Sequence, residues 1–291
     1  MGLCDEVRSS CAAIAAGARW VEMDADRLDA IGPGADEPLL DPERHYLEGA
    51  AEDVARYVLT LDAVNFGSGW FPTLRKRPGC SGYFTVAWAL ADRFRSAGPW
   101  ANAELRELDS DEVARVLGQE PGHELMPLYA EALRQLGRFL AGRSALEAIH
   151  AAGGSAERLA GQLAAGMEFF ADRGFYKRAQ IVPSDLALAA VADFDDLDRL
   201  TVFADNVVPH VLRMDGVLRY HPDLAAHIDA GELLAPGDPE REIRGCAVHA
   251  CELIAARLGV APRKLDAWLW SRGQAPAYKS RPRHRTRTVF Y

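Results

Sequence analysis

The spacing of apolar residues constrains this chain more than any other feature. From Met126 to Leu140 the run MPLYAEALRQLGRFL sets Leu128, Ala132, Leu136 and Leu140 four apart, one stripe of an α-helix. Ser155–Phe170 repeats the pattern with Leu159, Leu163, Met167 and Phe170, and Glu242–Leu258 repeats it with Ile243, Ala247, Ala250, Ile254 and Leu258. Asp111–Gly118 opens on acidic residues, which favour the positive end of a helix dipole. The N-terminal MGLCDEVRSSCAAIAAGARWVEMD lacks the basic start of a signal peptide and reads as an Ala-rich amphipathic helix. Between these segments the punctuation is short: Gly153-Gly154, Pro183, Pro209, Pro236-Gly237 and Pro262. Strand candidates are confined to Tyr57–Val64 and Gly82–Trp88, and either reads as helix as well. The pattern predicts an all-α or predominantly α chain, one domain over residues 1–291 without internal repeats.

Composition narrows the function classes. The 291 residues are 49% apolar and 26% charged, ordinary for a soluble globular protein, with a formal net charge of −9. An acidic balance argues against duplex binding, which rests on phosphate neutralisation by Lys and Arg. A nucleotide needs only a few local cations. Five cysteines at 4, 11, 80, 246 and 251 form no CxxC and are odd in number, so neither a disulfide framework nor a zinc site is expected. No 18-residue apolar run predicts a membrane span, and Glu6 stands where a myristoylation signal has Ser or Thr. A cytoplasmic location is expected. HExxH, GxSxG, Walker-type and dinucleotide motifs are absent, so no metal and no cofactor is expected.

Candidate chemistry concentrates in Phe175–Leu212, FYKRAQIVPSDLALAAVADFDDLDRLTVFADNVVPHVL. Asp185 and Asp205 sit among apolar neighbours, where a carboxylate is costly unless paired or used. Either could instead cap a helix, and Pro183-Ser184-Asp185 resembles a helix start. Lys177 and Arg178 offer a point charge and a planar fork for a phosphate, or are two solvated surface charges. In DAVNFGSGWFP, Asn65 and Phe66 supply amide hydrogen bonds and a flat face, as reading a heterocyclic base requires; the alternative is a packed turn. Asn65–Gly82 is the longest irregular stretch. Glu242 and Arg244 lie two apart on one helix and so face different ways. The tail, KSRPRHRTRTVFY, is either disordered or docked through its final Val-Phe-Tyr.

Together these segments resemble the queuosine salvage proteins, which hydrolyse queuosine 5′-phosphate to release queuine. LDAVNFGSGWFP, GYFTVAWAL, FYKRAQI, LTVFADNVVPHVLR, GVLRYHPDL, EREIRGCAVHACELI and HRTRTVFY carry the resemblance, from about Leu61 onward; the first sixty residues match more loosely. Two departures stand out. Gly67-Ser68-Gly69 intervenes where the family often has NF-x-FW, and Asn206 and His210 replace Tyr and Gln in the segment after FAD.

The resemblance implies a helical superstructure similar to DNA glycosylases, with Asp205 as the catalytic carboxylate. It implies a second acid at Asp185 and pocket residues Asn65, Phe66, Lys177, Arg178, Tyr220, Arg244 and His210. Glycosidic cleavage passes through an oxocarbenium-like ribose that a carboxylate stabilises. The leaving 7-deazapurine has carbon at position 7, so its departure must be assisted elsewhere on the base. Lys177 and Arg178 then suit the 5′-phosphate, and Asp185 the amine and diol of queuine. No stable nucleic-acid partner and no membrane association are expected; the Arg281–Arg287 cluster alone favours a glycosylase acting on nucleic acid. A binding protein for queuine without turnover is the other alternative.

Overall fold

Helix ends fall where the sequence supplies caps. In the computed structural model, which describes residues 2–32, 34 and 40–291, Ser81 accepts from Phe84 N at the start of Gly82–Ala97. Asp109 and Ser155 do the same for Ser110–Leu117 and Ala156–Gly166, and Ser144 and Glu147 close a reciprocal box on Ala145–His150. Gly118 and Gly259 end their helices in the left-handed conformation. Met1 of the Met-Gly start lies outside the described residues.

The chain is predominantly α, as the periodicity predicts: thirteen α-helices and one two-stranded pairing among the described residues. The expected helices appear as Leu3–Gly17, Ser110–Leu117, Leu125–Leu140, Ala156–Gly166 and Asp238–Leu258. Both strand candidates are helical, within Ala51–Ala63 and Gly82–Ala97. One expectation is corrected. Pro183 starts no helix; it lies inside Lys177–Leu188. Its missing N–H and its ring's crowding of the previous turn make this a costly site. Asp185 is therefore a mid-helix residue, and the capping reading of it falls. The pairing of Val21–Met23 with Leu218–Tyr220, antiparallel with Val21 opposite Tyr220, was not legible in three-residue strands. No helix among the described residues is long and apolar enough to cross a membrane.

The chain packs as two bodies interleaved in sequence. The first comprises Met1–Pro38, Arg173–Lys177 and Asp198–Thr288; the second comprises Leu39–Asp172, Arg178–Leu197 and Val289–Tyr291. At the centre of the first lies Asp238–Leu258, which buries Ile243, Cys246, Ala247, Ala250, Cys251 and Ile254. Leu3–Gly17 packs along it. The two helices approach closely at Gly245, where a Cβ would stand 2.6 Å from Ile14 Cγ2. Val208–Met214, Pro262–Arg272 and the strand pair complete the layer around this helix.

In the second body Leu125–Leu140 contacts Ala51–Ala63, Asn102–Glu107 and Ser110–Leu117. The basic tail is placed and partnered, so its disordered reading falls. Arg281 pairs with Asp229 at 2.7 Å, the Arg285 carbonyl accepts from Leu234 N at 2.8 Å, and within the second body the Tyr291 carbonyl accepts from Gly67 N at 2.9 Å.

Candidate active site

The loop before Val208–Met214 carries the acid of greatest interest. Residues 200–212 are buried throughout except Asp205, which is half-buried. Its Oδ1 accepts from Val207 N at 2.6 Å and Val208 N at 3.4 Å. The capping role is thus real, but it occupies one oxygen. No hydrogen bond to Oδ2 is seen among the described residues, and Asp205 is the one residue of the run that is not fully buried. The run itself is apolar enough to form core with Val202, Ala204, Val208, Val211 and Leu212, which fixes where the carboxylate points.

Cations of the first body surround this loop. Arg283, mostly buried, feels the charge of Asp205; burial lowers its pKa and Asp205 opposes that shift. Arg244, 2% exposed, donates through Nε to the carbonyl of Ala204 at 3.0 Å, pairs with Glu240 at 3.5 Å and stacks over Phe175 with Cζ 4.0 Å from the ring centre. Lys177, 6% exposed, is no solvated surface charge. The turn that delivers it holds Gly174 at φ +85° and Tyr176 at φ 48°, a conformation that costs a bulky residue energy. Tyr176 is tied down by Glu6, its hydroxyl donating to Oε1 at 2.9 Å.

Asp266 completes the cluster. It is 7% exposed, and its Oδ1 accepts from Phe203 N at 2.7 Å. Burial first, and the charge of Asp205 second, push its pKa up to about 7; the Phe203 bond and Lys177 oppose the shift. His284, 2% exposed, is driven down to about 3 by burial, with Arg244 and His210 adding to the effect. The sequence reading missed Asp266, Arg283 and His284. A signal for Asp266 existed: it lies on the same helical face as Leu265 and Leu269, an acid in an apolar stripe.

Glu242 and Arg244 face different ways, as their spacing predicts. Arg244 reaches the Asp205 loop. Glu242, 6% exposed, accepts through Oε2 from the N–H groups of Arg19, Trp20 and Val21 at 2.9, 2.5 and 3.2 Å. One helix thereby anchors both the N-terminal strand and the acid-bearing loop.

The other expected pocket residues of the first body have partners of their own. His210, 2% exposed, donates through Nε2 to the Tyr278 carbonyl at 2.7 Å, and burial lowers its pKa. Tyr220 pairs in the strand, lies under Arg213 at 4.8 Å, and lines a surface groove with Trp20 and His221. The structure brings Lys177, Arg244 and Asp205 to one cluster, with His210 at its edge through His284.

The second body holds the remaining expected residues. Phe66, 1% exposed, meets Tyr129 and Phe169 edge-on at 5.0 and 6.0 Å, and Arg178 lies 4.7 Å over its ring. The face assigned to a base is taken by a guanidinium, so the stacking expectation for Phe66 is corrected. Arg178, also 1% exposed, lies between Phe66 and Phe170 and donates to the carbonyls of Asp62, Ala63 and Phe169. Burial lowers its pKa to about 9 against the pull of Asp62 and Asp172. It is an internal brace, and the phosphate expectation is withdrawn from it. Asn65 donates through Nδ2 to Asp62 Oδ1 at 3.3 Å. Half-buried Asp185 acts on the hydroxyls of Tyr57 and Tyr83, both held up chiefly by burial; Tyr83 is hydrogen-bonded to His45 Nε2 at 3.0 Å.

The fold is predominantly α, and a half-buried carboxylate stands on an otherwise buried loop with the buried cations Lys177 and Arg244 beside it. The profile of the queuosine salvage protein family matches residues 45–291, and the chain belongs to that family. A Sphaerobacter thermophilus protein named queuosine 5′-phosphate N-glycosylase/hydrolase is 36% identical over 300 residues, spanning 94% of this chain and 93% of its own. Proteins of the same name from Mus musculus and Schizosaccharomyces pombe are 29% and 26% identical, spanning 84% and 98% of this chain and 83% and 94% of their own.

Proposed function

We propose that this protein hydrolyses the N-glycosidic bond of queuosine 5′-phosphate and releases queuine, with Asp205 as the catalytic carboxylate. The observation that carries the assignment is the division of labour within that side chain. Oδ1 is fixed by two backbone amides, Oδ2 is left without a hydrogen bond among the described residues, and Asp205 is the one half-buried residue of a thirteen-residue run that is otherwise buried. A carboxylate held this way needs no reorganisation when positive charge develops on the ribose, which is how preorganised groups lower a barrier. It stabilises the oxocarbenium-like ribose and orients the attacking water.

Lys177 supplies the charge for the 5′-phosphate. Its burial strengthens its field relative to a surface lysine. Arg244 and Arg283 lower the cost of a carboxylate in this setting, Arg244 through the loop carbonyl and Arg283 by its nearness. The 7-deazapurine leaves with help on its pyrimidine-ring edge, since it has no N7 to protonate.

The test is incubation with queuosine 5′-phosphate followed by chromatography for free queuine. Asp205→Asn keeps an oxygen for the Val207 amide and removes the charge; a loss of about 100-fold or more in kcat is expected, with folding intact. Substantial hydrolysis by a folded Asp205→Asn protein refutes the assignment.

A further inference from the structure

Asp266 has no part in the chemistry just described, yet its environment is more unusual than that of any other acid in the first body. It projects from Pro262–Arg272 into the core beside Cys251 and accepts the Phe203 amide, two residues before Asp205. An asparagine would serve that amide equally well. An apolar residue would continue the stripe of Leu265 and Leu269. A carboxyl group buried within the field of a second carboxylate is the costly choice, and acids in such perturbed settings concentrate where they act on function.

We propose that Asp266 is a positioning residue for Asp205: by holding the Phe203 amide it fixes the loop that presents the catalytic carboxylate. The inference rests on Asp205 being the catalytic group. The groups that face Asp266 are Asp205 from the loop, Lys177 from the start of Lys177–Leu188, and the Cys251 thiol from Asp238–Leu258. Two carboxylates that feel each other's charge in a shielded site do not both ionise readily. Protonated Asp266 leaves a neutral acceptor under the loop. Its ionisation, near pH 7, places a second negative charge against Asp205 and works against the fixed geometry. The proton passes to solvent, and no other bond changes.

Two variants and two readouts test this. In the wild type, kcat falls as pH rises from about 6 to about 9, with KM changed far less. Asp266→Asn keeps the acceptor and cannot ionise. It retains kcat within about three-fold at the acid end, and the alkaline fall disappears. Asp266→Leu removes the acceptor and lowers kcat by about 100-fold across the range, as misplacing a reacting group does. Independently of turnover, amide exchange at Phe203 quickens in Asp266→Leu and not in Asp266→Asn.

An alkaline fall that persists in Asp266→Asn overturns the proposal. So does wild-type kcat, or unchanged exchange at Phe203, in a folded Asp266→Leu protein. If Asp266→Leu does not fold, the Asp266→Asn pH profile decides. If the wild type does not release queuine, the assigned reaction fails, and the exchange measurement alone decides whether Asp266 fixes the loop.

Discussion

Replacing Glu242 by alanine isolates the anchor that one helix provides for the N-terminal strand. Its Oε2 accepts from three successive amides, at 2.9, 2.5 and 3.2 Å. Val21 is 4% exposed, so its amide cannot turn to water when the acceptor goes; that costs about 1–3 kcal/mol. Arg19 is exposed and Trp20 half-buried, so their amides recover water and forfeit only the net gain of a charge-assisted bond. Because the three share one oxygen their contributions do not add in full, and the loss sums to roughly 3–5 kcal/mol. For a chain of this size that lowers Tm by about 10 °C. Scanning calorimetry reads the shift; if the two bodies melt separately, only the transition of the first moves. Amide exchange should quicken over Val21–Met23 and over its partner Leu218–Tyr220. Glu242→Gln keeps an acceptor without the charge and should lose about half as much. A Glu242→Ala protein that melts within about 1 °C of wild type would refute the reasoning.

Three further outcomes follow from the geometry. Arg178→Met should destabilise the second body by roughly 3–5 kcal/mol, because three carbonyls lose a buried donor, and Arg178→Lys should not restore it; chemical denaturation with both variants checks this. Lys177→Ala should chiefly weaken preference for the nucleotide over the nucleoside, measured as the ratio of kcat/KM values; an unchanged ratio removes Lys177 from the phosphate. Asp266 sets a pH dependence of stability: its pKa rises from 3.8 to about 7 on folding, so between those values the native state binds more protons than the unfolded chain. Stability from this group is full below about pH 4 and declines, by a few kcal/mol, until about pH 7; melts of wild type against Asp266→Asn should converge at the acid end and diverge toward neutrality.

Much of the fold was legible because its helices carry a 3.6-residue stripe and conventional caps. Ala51–Ala63 and Gly82–Ala97 were ambiguous for a physical reason: each buries residues around most of its circumference, so period is lost. Pro183 misled because a proline in mid-helix is tolerated only when tertiary packing outweighs the lost bond, which no local pattern reveals. Asp205 was legible as an acid among apolar neighbours. Asp266 met the same criterion but lies in a segment that reads as ordinary helix. Lys177 and Arg178 looked alike in sequence. The positive φ at Tyr176 and the start of the helix send them to different bodies, one to the Asp205 cluster and one between two phenylalanine rings.

The packing of Leu3–Gly17 against Asp238–Leu258 also bears on how the protein is made. A helix with Val7 and Cys11 buried against its partner leaves the ribosome well before that partner does. Roughly 220 residues separate Gly17 from Asp238, which at usual elongation rates is about ten to forty seconds of translation. Throughout that interval the nascent helix lacks the partner that makes most of its contacts. The need for a chaperone during synthesis should therefore be set by this one pairing. A circular permutation that brings the two helices together in sequence should relieve it without altering the folded site.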